Sequence, residues 1–168
     1  LLDDETTPVL WRGPIIAGTV KQFYSDIIWG DIDYMFIDCP PGTGDVPLTI
    51  FQSIPIDGVV VVTTPQDLVS VIVGKAVHMA DSMNIPVIGM IENMSYFICP
   101  DCNNKHYIFG KSQLEQVIRD LYIGHAIRLP INPSLAGLMD RGEIEHMEAN
   151  ADLQEFADLI STFDPDKY

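Results

Sequence analysis

Residues 33–45 read Asp-Tyr-Met-Phe-Ile-Asp-Cys-Pro-Pro-Gly-Thr-Gly-Asp, an apolar run that passes directly into an acidic turn rich in proline and glycine. The run at residues 34–37 is short and continuous, which predicts a strand buried on both faces of a parallel sheet. Asp38 would then be the last residue of that strand. Because ligands of open α/β sheets bind beyond the carboxyl ends of the strands, Asp38 is a candidate binding residue.

The turn after this strand has the composition of a loop that approaches a phosphate. The carboxylate of Asp38 could hold Mg²⁺ directly or through water, because hard cations prefer oxygen ligands. Pro40 and Pro41 restrict the backbone, whereas Gly42 and Gly44 allow positive φ angles and a close approach of the main chain. The turn therefore predicts a nucleotide-sensing switch loop. A tight turn with a solvated aspartate would have the same composition, so the stretch alone leaves both interpretations open.

The segments on either side of this stretch alternate between helical and strand patterns. Apolar residues with helical spacing run from Gly13-Pro14 to Gly30. Further helices are predicted at residues 68–83, 113–121, 134–141 and 153–163. Further strands are predicted at residues 58–62 and 87–91, with a weaker one at 122–129. This alternation predicts an α/β fold with a doubly wound, mainly parallel sheet and helices on both faces. We find no repeat or linker, so residues 1–168 are interpreted as one domain or part of one.

Composition and charge exclude several classes of partner. The 168 residues carry a formal net charge of −15, which repels nucleic acid and anionic lipid, so neither is expected as a partner. No apolar run reaches the roughly 18 residues that a membrane-spanning helix needs. The first five residues, Leu-Leu-Asp-Asp-Glu, lack the basic and apolar segments of a signal peptide. A cytoplasmic location is the expectation.

The strongest metal-binding pattern is Cys99-Pro100-Asp101-Cys102. Two thiolates at this spacing can chelate one soft metal centre, although they supply only half of a tetrahedral site. Three completions are open: His106 of the same chain, a second C-x-x-C, or the same pair from another subunit. The sequence contains no second C-x-x-C. A thioredoxin-like redox pair is less favoured, because the motif does not open a helix directly after its strand.

Residues 37–45 resemble the switch II (Walker B) segment of the Mrp-type (ApbC-like) ATPases, iron–sulfur cluster carriers related to MinD and the nitrogenase iron protein. Further segments are similar to the same family and occur in the family's order, at residues 11–14, 29–34, 63–66, 91–95 and 99–102. The similarity extends from about Trp11 to Glu145. It implies a P-loop NTPase fold whose N-terminal part is not in this sequence.

The resemblance also implies roles for individual residues around a nucleotide. Asp38 would be the switch II carboxylate near Mg²⁺, and the backbone of Gly42 would sense the γ-phosphate of ATP. Asn93 would hydrogen-bond the adenine edge, since an amide offers both a donor and an acceptor. Pro130 belongs to a segment that packs beside the base. Two positions depart from the family: Asn132 stands where aspartate is more usual, and Cys39 stands where leucine or methionine is.

Cys39 is expected to be a buried, inert thiol. For the pair Cys99 and Cys102, the resemblance implies the third completion, in which two subunits of a homodimer hold one bridging [4Fe–4S] cluster. The cluster-binding insertion would span residues 95–108. The implied function is transfer of the cluster to apo iron–sulfur proteins, coupled to ATP binding and hydrolysis in the complete protein.

Two other functions remain as alternatives. One is a non-catalytic zinc-binding interaction module that uses Cys99, Cys102 and His106. The other is a MinD-like positioning ATPase, which the acidic helix predicted at residues 153–163 disfavours. The sequence contains no phosphate-binding loop of the form G-x-x-x-x-G-K-[ST]. We therefore expect this chain to be the C-terminal portion of such an ATPase and to be inactive in ATP hydrolysis by itself.

Overall fold

A computed structural model describes residues 13–147 and 151–167 of the chain. Trp11 and Arg12, which begin the first family-like segment, lie outside this range. The chain divides into two compact units, Leu1–Ile56 and Asp57–Tyr168. We describe each unit by itself. In the described residues, no helix is both long and apolar enough to cross a lipid bilayer.

The first unit contains two helices, α1 (Gly13–Ser25) and α2 (Asp45–Ser53), which contact each other. Helix α1 confirms the predicted helix, although it ends five residues before Gly30. Helix α2 was not predicted, because the glycines and prolines around residue 45 are typical of a loop. Its first turn nevertheless tolerates Pro47, and Asp45 lies where a negative charge stabilises a helix N-terminus.

The strand predicted at residues 34–37 is wrong. These four residues are not in a strand, and the described strands all pair elsewhere. Their side chains are exposed, with Phe36 at 75%. A continuous apolar run indicates a segment that can be buried between neighbouring strands, but a strand forms only where those neighbours accept its backbone hydrogen bonds. In the described part of this unit, no such neighbour lies beside residues 34–37.

The second unit holds a four-stranded sheet. Its strands are β1 (Val59–Thr63), β2 (Val87–Ile98), β3 (Lys105–His106) and β4 (Ala126–Pro130). Its α-helices are α3 (Asp67–Ser82), α4 (Leu114–Asp120), α5 (Pro133–Asp140) and α6 (Ala151–Ser161). Two short 3₁₀ helices cover Ile144–His146 and Pro165–Lys167. These elements confirm the predicted helices and, in part, the predicted strands: β2 is longer than predicted, β4 begins only at Ala126, and β3 was not indicated by the sequence.

Strand β2 is the centre of the sheet, with β1 and β4 parallel to it on its two sides. Met90 of β2 is fully buried in a cluster with Val73 and Val77 of α3 and Leu114 of α4. The neighbouring residue Gly89 points to the opposite face, where a Cβ would lie 2.8 Å from the ring of Phe156 in α6. Helices therefore cover both faces of a mainly parallel sheet, and the predicted fold class is confirmed.

The far half of β2 differs from the sequence prediction. The sequence predicts a strand that ends at Ile91, but β2 continues to Ile98. The register against β4 shifts between Glu92, opposite Arg128, and Tyr96, opposite Pro130. Two extra residues of β2 are accommodated there in a bulge, where Met94 adopts a positive φ of 55°. Pairing with β3 and β4 explains why the strand persists through polar residues that favour a turn.

Candidate metal centre and nucleotide-binding residues

The cysteine pair lies in a β-hairpin formed by the end of β2 and by β3. Phe97 and Ile98 pair with His106 and Lys105 in antiparallel register. Within the loop, the N–H of Cys99 donates to the carbonyl of Asn104 at 3.0 Å, and the N–H of Asn103 donates to the carbonyl of Cys99 at 2.9 Å. Asn103 has a φ of 57°, a conformation that asparagine tolerates better than most residues. The segment at residues 95–108, which was predicted to be a cluster-binding insertion, thus contains a β-hairpin.

Two further contacts help to fix this hairpin. The Lys105 ammonium lies 4.2 Å from the centroid of the Tyr96 ring, within the range of a cation–π interaction. The N–H of Ile131, just after β4, donates to the carbonyl of Tyr96 at 2.7 Å. The base of the hairpin is therefore attached to the main sheet, while the loop that carries the cysteines extends beyond it.

The hairpin brings the sulfur atoms of Cys99 and Cys102 and a ring nitrogen of His106 within 4.8 Å of one another. Among the described residues, this is the one group of three metal-ligating side chains of this kind. Cys102 and His106 are exposed, and Cys99 is partly exposed. Both cysteines and His106, which the sequence separated by loop residues, thus converge in one chain.

Hydrogen bonds in the loop also change the chemistry of Cys99. The backbone N–H groups of Cys102 and Asp101, followed by the Cys102 thiol, donate toward the Cys99 sulfur and lower the pKa of its thiol. Donors of this kind stabilise the charged form of the sulfur. The thiolate is the form that binds metals, so these hydrogen bonds favour the metal-binding form of Cys99.

The acidic turn of the first unit has only part of the backbone geometry expected of it, because its strand is absent and Gly44 adopts a φ of −76° rather than a positive one. Asp38 is exposed, and Gly42 adopts a φ of 89°, which confirms the need for glycine at that position. Helix α2 begins three residues later, and the N–H of Leu48 donates to the carbonyl of Gly44 at 3.1 Å. A glycine-containing turn therefore leads into a helix N-terminus, an arrangement that can bind an anion.

Cys39 behaves differently from the hairpin cysteines. Partial burial, together with the neighbouring carboxylate of Asp38, raises the pKa of its thiol. A raised pKa keeps the thiol protonated at neutral pH, which makes it a poor nucleophile and a poor metal ligand. This environment supports the expectation of an inert thiol at residue 39.

The predicted adenine-side residues lie on adjacent strands of the second unit. Asn93 lies within β2, at its bulge, rather than just past a strand as predicted, and its Oδ1 accepts the N–H of Met94 at 2.8 Å. Pro130 is the last residue of β4, opposite Tyr96. Asn132 caps α5, accepting the N–H of Ser134 at 3.1 Å. An aspartate could accept the same hydrogen bond, so this departure from the family changes little locally.

Sequence reasoning missed a buried polar network next to Asn93. Glu92 is only 3% exposed, and its carboxylate accepts hydrogen bonds from Ser95 Oγ at 2.5 Å and Ser112 Oγ at 2.9 Å. Arg128 Nε donates to Ser112 Oγ at 3.1 Å and lies 3.7 Å from Glu92. The other end of the Arg128 guanidinium reaches Glu115 at 3.1 Å. A glutamate inside an apolar strand pattern was the signal that could have identified it.

A small cavity lies beside this network, at the carboxyl end of β1 and next to Met90 and Glu92 in the first half of β2. Its volume is about 30 Å³, and its polar lining residues are Thr63, Thr64, Gln66, Glu92 and Gln113. A cavity of that size holds roughly two water molecules and is too small for a nucleotide base. The Thr63–Gln66 segment, which resembles the family, therefore lies against the buried carboxylate of Glu92.

Comparison with known proteins gives a consistent result. The model of the NUBPL iron-transfer P-loop NTPase family (ParA) matches residues 1–163. Two similar proteins are named iron–sulfur cluster carrier protein. The one from Methanocaldococcus jannaschii is 48% identical, over 84% of this chain and 49% of that protein. The one from Methanococcus maripaludis is 40% identical, over 96% of this chain and 56% of that protein. This chain thus spans about half the length of the curated relatives it matches.

A solved structure is also similar. It is a nucleotide-binding protein from Archaeoglobus fulgidus, described as a complex with ADP in which cobalt was found by PIXE. It aligns with a TM-score of 0.75 at 41% sequence identity, over 84% of this chain and 58% of that one. The match of the family model to nearly the whole sequence confirms the resemblance: the chain belongs to the NUBPL iron-transfer family of P-loop NTPases.

Proposed function

We propose that the protein to which this chain belongs binds an iron–sulfur cluster and transfers it to apo iron–sulfur proteins. The observation that carries this proposal is the hairpin that holds Cys99 and Cys102 with converging sulfur atoms. The same chain is 40–48% identical to proteins named iron–sulfur cluster carriers. A thiolate-rich, exposed site suits a cargo that must be both bound and released.

The cluster is proposed to be a [4Fe–4S] cluster shared by two chains. A cubane cluster takes four thiolates, and one hairpin supplies two. A two-fold axis passing beside the hairpin would bring Cys99 and Cys102 of a second copy to the same cluster. Exposure of Cys102 and partial exposure of Cys99 support this arrangement, because the ligands of a shared cluster must be accessible to a second chain. Separation of the two chains would then remove half of the ligands, which offers a route for release.

Nucleotide is proposed to control loading and transfer of the cluster. Asp38 would hold Mg²⁺, and the Gly42 backbone would contact the γ-phosphate of ATP. Asn93 and Pro130 would lie beside adenine. The positive φ of Gly42 and the helix N-terminus after it support the phosphate role, and the ADP complex of the Archaeoglobus fulgidus relative supports nucleotide binding. ATP hydrolysis belongs to the complete protein in this proposal.

The location and partners follow from this chemistry. Free thiolate ligands persist in a reducing compartment, so the protein is proposed to work in the cytoplasm. Its partners would be a second copy of itself and apo iron–sulfur proteins. The net charge of −15 supports the expectation that nucleic acid and membrane surfaces are not partners.

Anaerobic reconstitution with iron and sulfide tests the proposal. The expected result is about one [4Fe–4S] cluster per two chains, measured by iron and sulfide analysis and by absorption and electron paramagnetic resonance spectra. Cys99→Ala and Cys102→Ala should each abolish cluster binding and cluster-dependent dimerisation. Cys39→Ala is the matched control and should bind the cluster as the wild type does. Retention of the cluster in both hairpin variants would rule out this site.

A further inference from the structure

The proposed cluster uses two side chains of the hairpin and leaves a third ligand idle. His106 lies on β3, opposite Phe97, and its ring nitrogen is within 4.8 Å of the sulfur atoms of both Cys99 and Cys102. An exposed histidine on a short strand need not lie near any other metal-ligating side chain. The hairpin register instead places this one against the cysteine pair, so the three side chains form a group within a single chain.

The group matches a mononuclear metal site in both size and chemistry. Zinc–sulfur bonds of about 2.3 Å and zinc–nitrogen bonds of about 2.0 Å place tetrahedral ligand atoms roughly 3.5–3.8 Å apart. A separation of at most 4.8 Å therefore needs a closure of at most about 1.3 Å, which rotation of exposed side chains provides. The backbone need not move, because the hydrogen bond from Cys99 to Asn104 already closes the loop.

We propose that a single chain, without a partner copy, binds one divalent cation of borderline softness through Cys99, Cys102 and His106. Thiolate and imidazole ligands select the class of Zn²⁺, Fe²⁺ and Co²⁺ over Mg²⁺ and Ca²⁺, which require oxygen. Two thiolates and a neutral imidazole balance the charge of the ion. The fourth tetrahedral position stays open to water or to an incoming ligand.

Binding of the cation by one chain excludes the cluster, because the thiolates of Cys99 and Cys102 cannot coordinate the cation and the cluster at the same time. The inference deepens the proposed function and rests on it in this one respect: the two occupants compete for the same two sulfur atoms. A chain loaded with Zn²⁺ cannot contribute its thiolates to a bridging cluster. His106 then determines how strongly the cation competes, although it takes no part in binding the cluster.

Titration of the metal-free chain with Co²⁺ under anaerobic conditions tests the inference. Co²⁺ is the probe because its tetrahedral thiolate complexes absorb strongly in the visible and near-ultraviolet. The wild type should saturate at one Co²⁺ per chain and remain a monomer in light scattering. His106→Ala should weaken binding by at least the roughly 10–100-fold that losing a group hydrogen-bonded to a metal ligand costs. His125→Ala, at another exposed histidine, is the matched control and should bind as the wild type does.

X-ray absorption of the zinc-loaded wild type gives the same answer without any substitution. Two sulfur ligands and one imidazole are expected. Four sulfur ligands, saturation at one ion per two chains, or unchanged affinity in His106→Ala would each overturn the inference. This measurement also keeps the inference testable if His106→Ala fails to fold.

Parallel reconstitution with iron and sulfide separates this inference from the proposed function. Cluster loading in both the wild type and His106→Ala, together with Co²⁺ binding that depends on His106, supports both proposals. Co²⁺ binding that depends on His106 without any cluster loading leaves the inference standing and refutes the carrier function. Cluster loading together with Co²⁺ binding that does not depend on His106 refutes the inference and leaves the carrier function standing. Added Zn²⁺ should slow cluster loading in the wild type, and the slowing should be smaller in His106→Ala.

Discussion

Replacement of Ser95 by alanine tests the buried network at the bulge of β2. Ser95 is 0% exposed, and its hydroxyl donates to Glu92 Oε1 at 2.5 Å. Alanine keeps the shape of the side chain except for one oxygen, so the main change is loss of that donor. Arg128 Nε lies 3.7 Å from Oε1, which is too long for a hydrogen bond. The carboxylate of Glu92 would stay buried with one fewer partner.

The size of the effect follows from the charge on Glu92. A hydrogen bond to a charged group contributes about 1.5–3 kcal/mol to the free energy of unfolding, whereas a neutral one contributes about 0.5–1.5 kcal/mol. The Arg128 side chain is 35% exposed, so solvent screening limits how far it can compensate. We expect Ser95→Ala to destabilise the second unit by about 2 kcal/mol, equivalent to roughly a thirtyfold change in its unfolding equilibrium.

Urea unfolding of the purified chain, followed by far-ultraviolet circular dichroism, measures this change. Ser161→Ala is the control, because Ser161 is exposed and its hydroxyl donates only to the Asp158 carbonyl at 2.9 Å. It should stay within about 0.5 kcal/mol of the wild type. In a Glu92→Gln background, Ser95→Ala should destabilise by no more than about 1 kcal/mol, since the bond is then neutral. An equal loss in both backgrounds, or no loss in the wild-type background, would refute the reasoning.

Three further predictions concern other parts of the chain. Gly89→Ala should destabilise the second unit by about 1–3 kcal/mol in urea unfolding, because its Cβ would lie 2.8 Å from the Phe156 ring. In the control Gly124→Ala, the added Cβ meets nothing within 4 Å, so this variant should unfold much as the wild type does. In iodoacetamide labelling read by peptide mass spectrometry, the rate for Cys99 should rise at lower pH than that for Cys39, because the pKa is lowered at Cys99 and raised at Cys39; the opposite order would show that the described loop hydrogen bonds do not form in solution. The 168-residue chain should release phosphate from ATP no faster than background, since it has no G-x-x-x-x-G-K-[ST] loop, and turnover that co-purifies with it would contradict this.

The elements of the second unit could be predicted because their patterns agree with their surroundings. The valine-rich run of β1 and the helical spacing of α3 bury the same residues that the sequence marks as apolar, including Val61, Val73 and Val77. The run at residues 34–37 has an equally apolar composition, but its side chains are exposed. Composition reports that a segment can be buried between strands. It does not report whether strands are available on either side.

Helix α2 and the second half of β2 were missed for a related reason. Proline, glycine and asparagine near residues 45 and 93 favour loops in short peptides. In the structure, Pro47 falls in the first turn of a helix, where a missing N–H has no consequence. Asn93 and Met94 fall in a bulge that the pairing of β2 with β4 imposes. Tertiary pairing overrode local propensity at both places.

The two polar sites of the second unit differ in how far apart their residues lie in the sequence. The candidate ligands Cys99, Cys102 and His106 lie within eight consecutive residues and are held by hydrogen bonds inside the same segment. Their spacing alone was therefore enough to mark them as candidates. Glu92 instead depends on Ser112 and Arg128, which are 20 and 36 residues away in the chain. Only the folded sheet brings these groups together. A network of this kind, which depends on burial, cannot be predicted from spacing. A candidate metal-binding hairpin can be, because its geometry is set almost entirely by its own short loop.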